Sequence, residues 1–256
     1  MKTPTFTMLI DDIDIETFGL KLISYETQSY VGRKNIGMDI PGAHGTQPVP
    51  SALSSSGFVA SVVCSGKNAE EVQNLLRRFF AYMYSTQDSH KILFTNDIKV
   101  VRYAILNSPE KYKIVEGVDG AMTEIKLTFE MLNPFTYQND VDSLIVVMEH
   151  RQEVILNNQA FECPAIFKLK NTGETTVSNV RLLVNDEVAD FTCLLETGDE
   201  IVLDTVEYEV RFNGKNRLDY WSGEMPLLKN GDNIISHQNL ENLPLLLTVE
   251  FTKQWI

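Results

Sequence analysis

The sequence predicts a mainly β protein with one α-helix: an α+β N-terminal domain followed by a C-terminal antiparallel β-sandwich of jelly-roll type. Three observations predict it. A single stretch carries apolar residues at helical spacing, many short runs alternate apolar and polar residues with a period of two, and turn residues separate the later runs at roughly ten-residue intervals.

The chain has 256 residues, 43% of them hydrophobic, and against a prior of roughly 150 residues per domain two packed units are expected. Polar and turn-forming residues gather from Gln138 to Ser143, which places the boundary between residues 1–137 and 138–256. The charge distribution changes at the same point. The first part carries 13 bases and 15 acids, the second 9 bases and 20 acids.

Leu20 to Tyr25 is rich in Leu, Ile and Tyr and reads as a strand. Gly37 to Pro50 holds three Gly and three Pro in fourteen residues and reads as an irregular loop. A helix over about 68–84 follows from Val72, Leu75, Leu76, Phe79, Phe80 and Met83, which form one apolar stripe. Asn68 is its expected cap, Glu71 completes a capping box, and Glu70 and Glu71 suit the positive end of the helix dipole. Ile98 to Leu106 is a further strand. Ile125, Leu127, Phe129 and Met131 alternate with Glu124, Lys126, Thr128 and Glu130, as in a sheet with one buried and one wet face.

In the second part, Val206, Tyr208, Val210 and Phe212 are expected on one face of a strand, with Asn213-Gly214 turning a hairpin after it. Leu245, Leu247, Val249 and Phe251 form the last clear strand. Asn171-Thr172-Gly173 and Asn230-Gly231-Asp232 read as turns between strands.

Composition narrows the function classes. A net charge of −13 disfavours sequence-specific nucleic-acid binding, which needs clustered bases to displace counterions from phosphate. The longest apolar runs, Leu144 to Met148 and Leu243 to Leu247, fall far short of the ~20 residues of a bilayer span, so no membrane insertion is expected. Met1-Lys2-Thr3-Pro4 leads into Asp11-Asp12 with no apolar stretch of signal-peptide length, so synthesis in the cytoplasm is expected. Cys64, Cys163 and Cys193 are widely spaced and read as reduced, packed thiols.

No motif supplies a catalytic or cofactor site. Gly66-Lys67-Asn68 precedes the helix, but Ser61 and Asn68 stand where a phosphate loop needs Gly and Ser or Thr. His44, His90, His150 and His237 are scattered without a partner pattern suggesting a relay. Asp12, Asp14 and Glu16 alternate with Ile13 and Ile15; a charged outer strand face explains them better than a calcium site, since no Gly-bearing loop surrounds them. We therefore expect no enzyme, no cofactor and no metal. Asp219-Tyr220-Trp221 is the candidate sugar or partner contact, because Trp and Tyr beside a carboxylate suit both saccharide rings and protein interfaces.

The order of weak motifs carries a resemblance. Asp39-Ile40-Pro41-Gly42-Ala43-His44-Gly45, then Gly57 to Cys64, then the Asn68 helix and paired strands closing on Phe129-Glu130-Met131-Leu132-Asn133-Pro134-Phe135-Thr136-Tyr137, resembles the N-terminal domain of the distal tail (Dit) proteins of long-tailed phages. Gly223-Glu224-Met225-Pro226-Leu227-Leu228, Asn230 to Ile235 and a closing strand ending in Trp255 are similar to that family's galectin-like sandwich. Ala43-His44 departs from the basic or polar residue the family commonly has after Pro-Gly.

The resemblance implies a virion structural protein at the tail tip. It implies a homohexameric ring, single or paired, joining the tail tube protein to the tail-tip or tail-associated protein and to receptor-binding or baseplate proteins, with a channel for DNA. Asp39, Ile40, Pro41, Gly42, His44 and Gly45 are then the candidate inter-subunit loop. The alternative is a carbohydrate-binding host-recognition module using Asp219, Tyr220 and Trp221.

Overall fold

The computed structural model describes residues 6–27, 36–39, 46–49, 53–86, 88–107 and 111–256. The chain divides into two compact units, residues 1–137 with Ile256 and residues 138–255.

The first unit holds β1 (Met8–Ile10), β2 (Ile13–Asp14), β3 (Leu20–Thr27), β4 (Ile36–Asp39), β5 (Thr46–Val49), β6 (Ser56–Gly66), α1 (Ala69–Met83), β7 (His90–Phe94), β8 (Asp97–Leu106), β9 (Val115–Gly117) and β10 (Gly120–Met131); β11 (Thr136–Gln138) leads out of it. Antiparallel pairing gives the order β2-β1-β7-β8-β10-β6-β3. The β10–β6 ladder runs unbroken from Ala121↔Gly66 to Met131↔Ser56. Strict alternation along both strands turns Ile125, Leu127 and Phe129 to the same side as Phe58, Ala60 and Val62, all buried, and Phe58 and Phe129 stack with centroids 4.7 Å apart.

Helix α1 closes this core with Val72, Leu76, Phe79 and Met83, while Leu75 and Phe80 are only partly buried. Asn68 Oδ1 accepts from the Glu71 N–H at 2.9 Å. The return bond differs from a capping box: Glu71 Oε2 accepts from the N–H of Lys67, one residue earlier than expected, at 2.6 Å.

The second unit holds β12 (Asp142–Met148), β13 (Val154–Asn158), β14 (Ala165–Lys170), β15 (Val177–Val184), β16 (Glu187–Leu195), β17 (Glu200–Asp204), β18 (Glu209–Phe212), β19 (Lys215–Asn216), β20 (Trp221–Gly223), β21 (Gly231–Gln238), β22 (Leu245–Phe251) and β23 (Gln254–Trp255). Two antiparallel sheets form, β12-β22-β14-β17-β18-β19 and β13-β21-β15-β16-β20. They share one core, to which Phe167, Leu203 and Leu247 come from the first sheet and Leu182, Phe191 and Ile235 from the second. The mainly β fold with one helix is thus as predicted, and among the described residues α1 is the one α-helix.

Three local expectations are corrected. Gly37 to Pro50 is not an irregular loop throughout: β4 and β5 pair with Gly37 opposite Pro48. A two-stranded ribbon tolerates proline because its outer backbone edges need no ladder partner. Val206 and Tyr208 are not strand residues. Asp204 Oδ1 accepts from the N–H groups of Val206 and Glu207, both at 3.1 Å, and the turn it organises leaves both side chains exposed, so β18 starts at Glu209. Asp12, Asp14 and Glu16 do not share a strand face. Asp11 and Asp12 form the turn between β1 and β2 at φ 50° and 65°, and Asp14 caps a short 3₁₀ turn by accepting from the Glu16 N–H. The Asn213-Gly214 hairpin forms as expected, with positive φ at both residues.

Cys64, Cys163 and Cys193 are free and buried. Burial raises all three thiol pKa values, those of Cys163 and Cys193 to about 11.

His237 makes the second unit sensitive to acid. Its ring is fully buried, Nε2 donates to the Met148 carbonyl at 2.9 Å, and Nδ1 has no partner among the described residues. Burial outweighs that bond and lowers the pKa below 6.5. The unfolded chain then binds a proton that the folded one refuses, so stability falls as pH drops below about 6.5, by about 1.4 kcal/mol per pH unit until the folded value is reached. Urea denaturation followed by tryptophan fluorescence at about pH 7.5 and about pH 5.5 checks this, since both tryptophans, Trp221 and Trp255, lie in the second unit. The parent is expected to lose stability at the lower pH and His237→Gln to lose markedly less; a parent indifferent to pH contradicts the assignment.

Candidate functional site

The candidate inter-subunit loop begins where β4 ends. Asp39 is the last residue of β4 and lies opposite Thr46, the first of β5; Ile40, Pro41, Gly42, His44 and Gly45 lie outside the described residues. The structure therefore fixes the base of this loop, a closed antiparallel ladder, and not its contacts.

A second feature of the first unit escaped the sequence reading. In the β9–β10 hairpin, Val115 and Met122 are cross-strand partners, 58% and 52% exposed, and Val118 at the turn between them is fully exposed. Three aliphatic side chains held in water on one hairpin tip make this a candidate contact surface. The signal was present: Val118 stands between Gly117 and Asp119, where a turn ordinarily carries polar residues.

The second unit shows the same pattern on its edges. Edge strand β12 turns Ile145 and Val147 outward, and edge strand β13 turns Ile155 outward beside its cross-strand partner Ile234. An open strand edge with apolar outward residues is a place where another chain can pack or pair.

Asp219, Tyr220 and Trp221 are brought together but are used in packing. The Arg217 guanidinium lies 3.6 Å over the Tyr220 ring and pairs with Asp219 at 2.8 Å, holding that carboxyl below its ordinary pKa. Phe212 meets the same ring edge-on at 5.7 Å. Trp221 pairs with Phe191 in the β20–β16 ladder and packs on the core, its Nε1 buried without an acceptor among the described residues. One face of the Tyr220 ring is thus covered, and Trp221 is partly buried against the core.

Two of the described histidines, His90 and His237, are buried and hydrogen-bonded. His90 is buried and places Nδ1 2.6 Å from Asp11 Oδ2 and Nε2 3.1 Å from the Met83 carbonyl at the end of α1. Asp11 also accepts from Tyr82 Oη at 2.8 Å and from the Lys91 N–H at 2.9 Å. Burial raises the Asp11 pKa, but these bonds outweigh it and leave the carboxyl below its ordinary value, while burial and Asp11 push the Tyr82 phenol up to about 12. The cluster clasps the β1–β2 turn to α1. His150 Nδ1 faces the Asn239 N–H at 3.3 Å. No group of three metal-ligating side chains converges among the described residues.

Comparison with solved structures gives a match over the whole chain. The crystal structure of SPP1 Dit, described as a paradigm of the hub adsorption apparatus in Gram-positive infecting phages, superposes with a TM-score of 0.80, covering 99% of this chain and 100% of that one at 12% identity. The chain shares the fold of SPP1 Dit. The Dit fold here thus spans both units in one continuous order, which the resemblance in the sequence had implied. Two structures of the phage P2 baseplate in its activated conformation, with Ca and with Sr, match over 97% of each chain at 13% identity, with TM-scores of 0.48 and 0.47, too low to add weight. No family model and no curated protein matches the sequence.

Proposed function

We propose that this chain is a distal tail protein of the Dit type: a non-enzymatic component of a phage, prophage or phage-like tail tip that assembles as a hexameric ring. In this reading the ring joins the tail tube protein to the tail-tip and receptor-binding or baseplate proteins, leaves a channel for DNA, and carries the second unit as a galectin-like module. The observation that carries it is the match to SPP1 Dit over the full length of both chains. Exposed Val115, Val118 and Met122 support a role in contact, and 13 bases against 15 acids in residues 1–137 give a lining no overall attraction for DNA phosphate.

Light scattering tests the ring. A mass near six or twelve times 29.0 kDa, with a central channel in negative-stain images, is the expected result. A monomer, both alone and mixed with the tail tube and tail-tip proteins encoded beside it, overturns the proposal.

A further inference from the structure

Arg102 is a buried cation with no ion pair among the described residues. It sits on β8 between Val101 and Tyr103, on the same side as the core residues Ala104 and Leu106, and is 9% exposed. Its Nη1 is sealed from solvent with no hydrogen-bond partner among the described residues, and no ion pair reaches it among them. Its one close aromatic contact is the Phe94 ring, 5.4 Å from the guanidinium carbon. Asp97 and Tyr25 act on it only at a distance, and burial lowers its pKa against them.

Isolated buried guanidinium groups are expensive, because an arginine cannot shed its proton and leaving even one donor unpaired forfeits its hydration. The side chain also lines a cavity. Thr27, Ser56, Phe58, Met131, Thr136 and Ile256 are among its other walls, and the cavity holds about 180 Å³, several times the ~30 Å³ that a water occupies in the liquid. Phe58 and Met131 make part of the wall apolar, which strengthens charge pairing beside it. Ser56 Oγ spends its proton only on the Met131 sulfur at 3.8 Å, a weak bond that a better acceptor displaces.

We propose that the Arg102 cavity is a carboxylate-binding site of the first unit. A planar monoanion fits best: the guanidinium fork matches the two oxygens of a carboxylate, and one cation with Asp97 within its field does not balance a phosphate dianion. The carboxylate comes either from a free small acid or from an Asp or Glu side chain of a second copy of this chain. The first source is independent of the ring reading and the second rests on it.

The experiment compares parent, Arg102→Met and Arg102→Lys in sodium acetate and in sodium chloride at equal ionic strength, following the helix signal of the first unit by circular dichroism. In acetate the parent midpoint is expected to rise by a few degrees and saturate, with no such rise in Arg102→Met. In chloride Arg102→Met is expected to unfold at or above the parent temperature, because it removes an uncompensated buried charge. A structural arginine gives the opposite, a lower midpoint for Arg102→Met in both salts. If a second copy supplies the group, the parent shows a concentration-dependent mass by light scattering that Arg102→Met loses and Arg102→Lys partly keeps. Identical responses of the parent to acetate and chloride, together with an unchanged mass for Arg102→Met at every concentration, overturn the site; if Arg102→Met does not fold, the acetate and chloride arms on the parent decide alone. A ring that forms while the acetate effect is absent separates failure of this site from failure of the ring.

Discussion

Phe129→Ala is expected to destabilise the first unit by about 3–5 kcal/mol, the range for truncating a buried aromatic ring. Phe129 is 1% exposed, stacks on Phe58, and lies where both β6 and β8 pair with β10, opposite Phe58 and Leu106. Neighbouring strands on both sides restrain the backbone, so the void cannot close by collapse. Chemical denaturation followed by the helix band of circular dichroism reads this loss, since α1 belongs to the first unit. Tryptophan fluorescence from the second unit serves as the internal control and stays unchanged. A loss under about 1 kcal/mol would show that the β10–β6 ladder does not hold this core.

Asn233→Leu is expected to cost the second unit about 3 kcal/mol or more, although it replaces a polar side chain by an apolar one of similar shape in a buried place. Asn233 is fully buried. Its Oδ1 accepts from the Lys229 N–H at 2.8 Å and from Asn185 Nδ2 at 3.0 Å, while Nδ2 donates to the carbonyls of Lys229 at 2.9 Å and Gly231 at 3.1 Å. The side chain therefore stands in for backbone partners that the turn before β21 cannot supply itself, and leucine orphans those groups inside the sandwich. The tryptophan-detected urea transition measures the loss. Asn185→Ala, which removes two bonds at the exposed end of the network, one to Asn233 Oδ1 and one from the Ile234 N–H, is expected to cost less, about 1–2 kcal/mol, and equal costs for the two variants would refute this account.

Elements whose burial follows local periodicity were readable in advance. The stripe of α1, the alternation of β10 and β22 and the Asn213-Gly214 turn each need only neighbours in sequence to show which face is buried. Reading failed where a single side chain redirected the backbone. Asp204 captures two N–H groups and converts Val206 to Tyr208 from strand into turn, and no periodicity records such a bond. The β4–β5 ribbon was hidden because Gly and Pro, read as loop residues, tolerate a ladder that needs partners on one side only. At the candidate sites, residue type was legible and burial was not: Tyr220 and Trp221 have the chemistry of a sugar platform, but Arg217 and Phe212 pack on the Tyr220 ring and Trp221 lies against the core. Arg102 did leave a trace, a cation two residues from Ala104 and four from Leu106 on one face of a strand otherwise read as apolar.

The three buried thiols give the protein a built-in clock. A thiol held at a raised pKa and closed off from water reacts with a disulfide or maleimide reagent only when the structure around it opens, so labelling rates report opening rather than chemistry. Cys64 lies in the first unit on β6, and Cys163 and Cys193 lie in the second. Labelling under native conditions, resolved by peptide mass, therefore times the breathing of each unit separately with no engineered tag. In an assembled particle the same three sulfurs would tell which unit is held shut by its neighbours, because only the unit that gains contacts would slow.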